Sequence, residues 1–277
     1  MESNNGIKLN RRQRKWNKFG KYLVIAGAAA VAVCITFFLI RGGVNLPINK
    51  KESVANSSET NQSSETNTSK ERTDNTSNTS SAQDLKLAGP LKLETFTSAE
   101  TFKNSVFMGD TFINGLDDYN FIDEYYLFQA SFFPSTSAIK YVSDVKEMNP
   151  SKVFVMLGTD DANMNTNVNA SDVAENVTKV LSDLKSALPD AKIYAISETP
   201  ITKEYEESGN AYYTQKTLDE INKIVAENSK NLGITYIDIS DAFKVNGYLN
   251  EEYTSDGYHI NQEYYPYVLN GIANLIK

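Results

Sequence analysis

The sequence has one cysteine and one histidine in 277 residues, so no disulfide forms within the chain and no zinc site built on several Cys or His ligands is available. Positive charge is also short, with 27 Lys and Arg against 35 Asp and Glu. Its distribution is uneven. Residues 1–41 hold eight basic residues and one acid, Glu2, so the rest of the chain carries a net charge of −15. An acidic body of this kind argues against nucleic acid as a partner, because phosphate binding needs clustered Lys and Arg.

What is present falls into four stretches. Residues 1–21 form a basic tail containing RRQRKWNKFGK, and residues 22–40, YLVIAGAAAVAVCITFFLI, carry no charge. At the helical rise these 19 residues reach about 28 Å, the thickness of a bilayer's hydrocarbon core. The basic flank predicts a cytoplasmic N-terminus and an extracytoplasmic body. A cleaved signal peptide is the competing reading. The small residues lie inside the apolar run rather than after it, which favours an uncleaved anchor. Cys34 is followed by ITFFLI rather than by a polar tether, so it reads as a small apolar residue of the anchor rather than a lipidation site. Residues 41–84 include a Ser/Thr/Asn-rich tract with a repeated SSETN, too polar to offset chain entropy and therefore expected to be a disordered linker. As a flexible coil, the 32 residues from Ser53 to Asp84 reach roughly 30 Å.

Residues 85–277 read as the folded domain. Short apolar runs begin at Val106, Val153, Ile193 and Ile234, and between them lie segments of helical periodicity. Val173, Val177, Val180, Leu181, Leu184 and Leu188 mark one helix, with Ser171 as its expected N-cap and Pro189 closing it. Leu218, Ile221, Ile224 and Val225 mark a second helix, and residues 264–276 a third, with Pro266 in its first turn. Leu85 to Thr97 fits either an edge strand or a lead-in. Strands alternating with helices predict a three-layer α/β/α sandwich with a mainly parallel sheet, flavodoxin-like in architecture, with its ligand site at the carboxyl ends of the strands.

Three polar clusters fall at such ends: Gly109-Asp110-Thr111, Gly158-Thr159-Asp160-Asp161 and Asp256-Gly257-Tyr258-His259. Imidazole shuttles protons near neutral pH, and Asp256, three residues before the sole histidine, is placed to fix its tautomer. The plain alternative is a solvated loop Asp beside a histidine at a helix start. Thr111 offers a hydroxyl on a strand-to-helix turn, where it is either a nucleophile or an ordinary cap. Asp160 and Asp161 read equally well as turn residues.

In their order and placement the clusters resemble the SGNH, or GDSL, hydrolase superfamily, particularly its extracytoplasmic Gram-positive members. VFMGDTF matches the first block, strand then G-D-S; LGTDDAN matches G-x-N-D; SDGYHIN matches D-x-x-H. The resemblance covers residues from about 100 onward. It implies an ester hydrolase or O-acyltransferase in which Thr111 is the nucleophile, His259 the base and acid, and Asp256 its orienting carboxylate. It further implies Asp110 and Ser137 as backbone N–H donors to the oxyanion, with Asp160 and Asp161 in the third block. Thr111 replaces serine and Asp160 replaces asparagine. Threonine's methyl crowds the attacking oxygen, and an ionised Asp160 cannot donate to an oxyanion, where one lost donor costs about 10²- to 10³-fold in rate. The expected substrate is an O-acyl, above all O-acetyl, ester of envelope carbohydrate. The alternative is a catalytically degraded relative that binds envelope glycan or a partner, with tyrosines such as Tyr253, Tyr258, Tyr264 and Tyr265 near the site. No metal or organic cofactor is implied, since acyl transfer by a hydroxyl needs none.

Overall fold

The computed structural model describes residues 83–130, 132–163, 169–209 and 212–277. The basic tail, the apolar segment 22–40 and nearly all of the linker expected over 41–84 lie outside the described residues.

Six strands form one sheet: β1 (Asp84–Lys86), β2 (Ser105–Gly109), β3 (Leu127–Phe128), β4 (Lys152–Met156), β5 (Lys192–Ile196) and β6 (Thr235–Asp238). Their order is β1-β6-β5-β4-β2-β3 and every pair is parallel. The four expected strands are β2, β4, β5 and β6. Their unbroken apolar character follows from burial on both faces. Val106 and Met108 point to one core and Phe107 to the other; Val153 and Val155 oppose Phe154 and Met156; Ile193 and Ala195 oppose Tyr194 and Ile196.

The helices complete the outer layers. α1 (Thr111–Asp118) buries Phe112, Ile113 and Leu116 on the aromatic face of the sheet. α2 (Ser135–Ala138) and α3 (Val142–Met148) lead from β3 to β4, and α4 (Thr159–Ala162) is a single turn after β4. α5 (Ala170–Ala187) packs on the opposite face through Val173, Val177, Val180, Leu181 and Leu184. Its N-cap is Asn169, whose side chain accepts the Ser171 N–H at 3.0 Å, so the expected cap at Ser171 lies two residues inside the boundary. α6 (Lys203–Glu207) and α7 (Gln215–Asn231) follow β5, α7 packing against α5 and buried along Leu218, Ile221 and Val225. A small antiparallel hairpin, β7 (Lys244–Val245) with β8 (Tyr248–Leu249), precedes the last helix, α8 (Tyr265–Leu275), whose Pro266 sits in the first turn. Leu85 belongs to an edge strand.

This connectivity locates the site. The chain leaves β2 toward β3 on one side, with α1 on the aromatic face. It leaves β4 toward β5 on the other side, with α5 on the opposite face. The carboxyl ends of β2 and β4 are therefore the topological switch point, where an open parallel sheet leaves a crevice. Gly109 is required at this seam, because a side-chain carbon there would meet the Met156 carbonyl oxygen at 2.1 Å.

Candidate active site

The first part of the site is the histidine loop. Thr254 and Ile260 pair across its base, and Asp256 lies at its turn. The Asp256 carboxylate takes the backbone N–H groups of Tyr258 and His259 on Oδ1, at 3.2 and 2.9 Å, and faces ring Nδ1 of His259 with Oδ2 at 2.7 Å. Burial draws the Asp256 carboxyl upward, but these hydrogen bonds from His259 and Tyr258 outweigh it and hold the group below its ordinary value. The ionised carboxylate fixes the hydrogen on Nδ1 and leaves Nε2 as the free base. Both side chains are nearly half exposed, at 47% for His259 and 43% for Asp256.

Gly257 makes the loop possible. Its φ is +96°, and a side-chain carbon there would lie 2.6 Å from Tyr205 Cβ. Its carbonyl accepts the Thr202 N–H at 2.8 Å, which ties the loop to the start of α6. Tyr258 stacks on Tyr205, with centroids 4.9 Å apart, and lies against the His259 ring.

The second part surrounds the switch point. Thr111 is the first residue of α1 and partly exposed, and its backbone N–H has no partner among the described residues, as the first helical turn dictates. Asp110 occupies the N-cap position of α1 but does not cap it. Its Oδ2 instead crosses to β4 and accepts the N–H groups of Gly158 at 3.3 Å and Asp160 at 3.1 Å, so it caps α4. α4 in turn holds the loop after β3. Asp160 Oδ2 accepts the Phe133 N–H at 2.5 Å, and Asp161 accepts the backbone N–H and the hydroxyl of Ser135, at 2.8 and 2.5 Å.

Two expected oxyanion donors are engaged elsewhere. The Asp110 N–H continues the sheet to the Met156 carbonyl at 3.2 Å, and the Ser137 N–H closes the first turn of α2 on the Pro134 carbonyl at 2.8 Å. Neither is free for a ligand, whereas the Thr111 N–H at this seam has no partner among the described residues.

Acidic groups crowd the crevice. Burial is the main cause that raises Asp160, to about 6; the Phe133 hydrogen bond opposes it and the Asp161 charge adds to it. Asp161 is raised by burial against its Ser135 hydrogen bonds. Sequence reasoning missed Glu198, just beyond β5, whose Oε2 accepts the Thr159 hydroxyl at 2.6 Å. Nothing local marks it, because a buried acid is identified only by its surroundings. Tyr258 and Tyr213 feel the charge of Asp160, and Tyr205 that of Asp256, so the histidine loop and the switch point share one electrostatic neighbourhood. Tyr253 and Tyr265 are core residues. Among the described residues no group of three or more His, Cys, Asp or Glu is arranged to hold a metal ion.

The carboxyl edge of this parallel α/β/α sandwich thus carries Thr111 at a strand-to-helix turn and the Asp256–His259 pair. Residues 133–265 match the family model described as GDSL-like lipase/acylhydrolase. Over that stretch the chain carries a GDSL-like ester-hydrolase domain. Among solved structures, it is similar to a protein from Streptococcus pneumonia described provisionally as a platelet activating factor, with 16% identity over 63% of this chain and 84% of that one and a TM-score of 0.52. A GDSL-like lipase from Bacteroides thetaiotaomicron aligns at 22% identity over 66% and 89%, with a TM-score of 0.49. A carbohydrate acetylesterase from Sinorhizobium meliloti aligns at 14% over 63% and 98%, with a TM-score of 0.47. No curated protein matches the chain.

Proposed function

We propose that the protein is a membrane-anchored, extracytoplasmic esterase or acyltransferase that removes or transfers O-acyl groups, above all acetyl, on envelope carbohydrate. The observation that carries the catalytic reading is the 2.7 Å contact between Asp256 Oδ2 and His259 Nδ1, which leaves Nε2 available to take a proton. Thr111 Oγ1 attacks the ester carbonyl carbon while its proton passes to His259 Nε2. The C–O bond to the sugar then breaks, and the leaving oxygen takes that proton. Water, or a second hydroxyl in a transferase, attacks the acyl-threonine with His259 again as base and frees Thr111.

The oxyanion is held by the Thr111 N–H and by Asp160 in its acid form. With Oδ2 already accepting from Phe133, a protonated Asp160 donates from its other oxygen as an asparagine amide would. Because burial raises this carboxyl to about 6, the acid form is populated in mildly acidic solution.

The substrate class is supported by the exposure of Asp256 and His259, which suits a group projecting from a polymer, and by the stacked Tyr205 and Tyr258 beside them, whose faces suit a sugar ring. The anchor and the long polar linker read from residues 1–84 support work within the envelope. The test is acetate release from O-acetylated wall polysaccharide by the full-length protein in detergent, with His259→Ala beside it. Release that depends on His259 is the expected result. Saturable binding without release at any pH would instead make the protein a glycan-binding relative. Fractionation of cells checks the anchor: deleting residues 22–40 moves the protein out of the membrane fraction.

A further inference from the structure

Glu198 takes no part in the chemistry above, yet its carboxyl is placed with care. Its backbone N–H donates to Asn222 Oδ1 at 2.8 Å, and its carbonyl accepts from Asn222 Nδ2 at 3.2 Å, so α7 fixes it just beyond the end of β5. The side chain is 1% exposed, with Oε1 3.7 Å from where a Gly158 side-chain carbon would stand, beside the N–H that serves Asp110, itself 0% exposed. We propose that Glu198 and Asp110 share a single proton, and that this pair is the positioning clamp that holds Thr111 and Asp160 in place across the switch point.

The hydrogen-bond inventory carries the argument. Each carboxyl has one oxygen served by ordinary donors: Asp110 Oδ2 by the N–H groups of Gly158 and Asp160, and Glu198 Oε2 by the Thr159 hydroxyl. The other two oxygens, Asp110 Oδ1 and Glu198 Oε1, are buried and meet no donor. The two carboxyls close on the same turn: the Gly158 and Asp160 N–H groups serve Asp110, and the Thr159 hydroxyl between them serves Glu198. An ionised carboxylate only accepts, so a bond between two of them requires a proton on one. Both orphan oxygens are satisfied by that proton.

The surroundings favour keeping it. The groups facing the pair are Asp160 and Asp161 on α4, Tyr213 ahead of α7 and Tyr236 on β6, all of them acids. Burial, with the neighbouring carboxyls adding to it, pushes Glu198 up to about 8 and Asp110 well above the ordinary carboxylate range. The proton belongs to the pair rather than to either residue. When it leaves, two negative charges face each other in a dry interior. The first belongs to the residue that directly precedes Thr111 and caps α4 at Asp160; the second belongs to the residue bonded to Thr159. Their repulsion pushes the β2–α1 and β4–α4 turns apart, displacing the nucleophile and the oxyanion donor together.

The inference rests on the reading of Thr111 and Asp160 given above, and the experiment separates the two. Kinetics are measured in an Asp160→Asn background, where the titration of Asp160 is removed, using p-nitrophenyl acetate and full-length protein in detergent. kcat then falls above about pH 8, and adding Glu198→Gln abolishes that alkaline limb, because the amide still donates to Asp110 but has no proton to lose. Glu198→Ala lowers kcat about 100-fold with KM little changed, since a displacement near 1 Å is enough for such a loss. The second readout needs no turnover. The folded-state value of the pair lies above its unfolded value, so the native state binds the extra proton and stability falls as pH rises from the ordinary carboxylate range to about 8. Tm therefore declines between about pH 5 and 8 in the parent protein and declines less with Glu198→Gln. An unchanged alkaline limb, or an unchanged pH dependence of Tm in a protein with no turnover, overturns the clamp. A Glu198-dependent Tm profile in a protein that never turns over ester leaves the shared proton standing and removes the catalytic reading instead.

Discussion

Asp256 holds His259 at two points, its backbone N–H at 2.9 Å and its ring Nδ1 at 2.7 Å, so one carboxylate sets both the position and the tautomer of the only histidine in the chain. Asp256→Asn keeps acceptors for the backbone but no longer holds an ionised group against the ring. The expected result is a fall in kcat of about 10⁴-fold with little change in KM, the size seen when a triad acid is replaced by its amide. Steady-state kinetics on an acetyl ester check it.

Asp160→Asn supplies a permanent donor where the natural residue donates only when protonated. The rate is expected to rise by about 10²-fold at pH 8, where Asp160 is ionised, and by much less at pH 5. The sign follows from the acid form being the active one: activity in the natural protein declines as pH rises through about 6. A pH–rate profile in which the two proteins fall in parallel would remove Asp160 from the oxyanion.

Gly257→Ala places a carbon 2.6 Å from Tyr205 Cβ on a backbone with φ +96°. The loop must shift, and with it His259. Activity is expected to drop by about 100-fold, a larger effect than on Tm, because the loop contributes few core contacts while its placement decides the geometry of proton transfer. Comparing kcat with thermal unfolding of the same variant checks this.

Phe154 is fully buried between Phe107 and Tyr194, with ring centroids at 4.7 and 4.9 Å. Phe154→Ala leaves a void in the centre of the sheet's aromatic face and costs about 3–5 kcal/mol, read by denaturant unfolding.

The central strands were legible because burial on both faces writes itself as a continuous apolar run, as in VFVML at Val153. β3 was not, and β1 was legible only as one of two readings of Leu85 to Thr97, since edge strands of two and three residues carry no period to read. The Asp256 and His259 pair was legible for the opposite reason: three residues of spacing are enough to make the contact locally. The donors at Asp110 and Ser137 depended on where their N–H groups went, and the ladder to Met156 and the turn on Pro134 are consequences of the fold. Glu198 lies furthest from any sequence signal, because its hydrogen-bond partner Thr159 is 39 positions away and Asp110, with which we propose it shares a proton, is 88 away.

Among the described residues the edge strand β1 pairs with β6, where Leu85 lies opposite Ile237 and the Leu87 N–H reaches the Asp238 carbonyl at 2.8 Å. About 150 residues separate the two strands, so this pairing closes a very long loop and belongs to the slow, late part of folding that high contact order brings. Slow amide exchange at Leu87 would therefore mark chains in which the whole sheet has assembled.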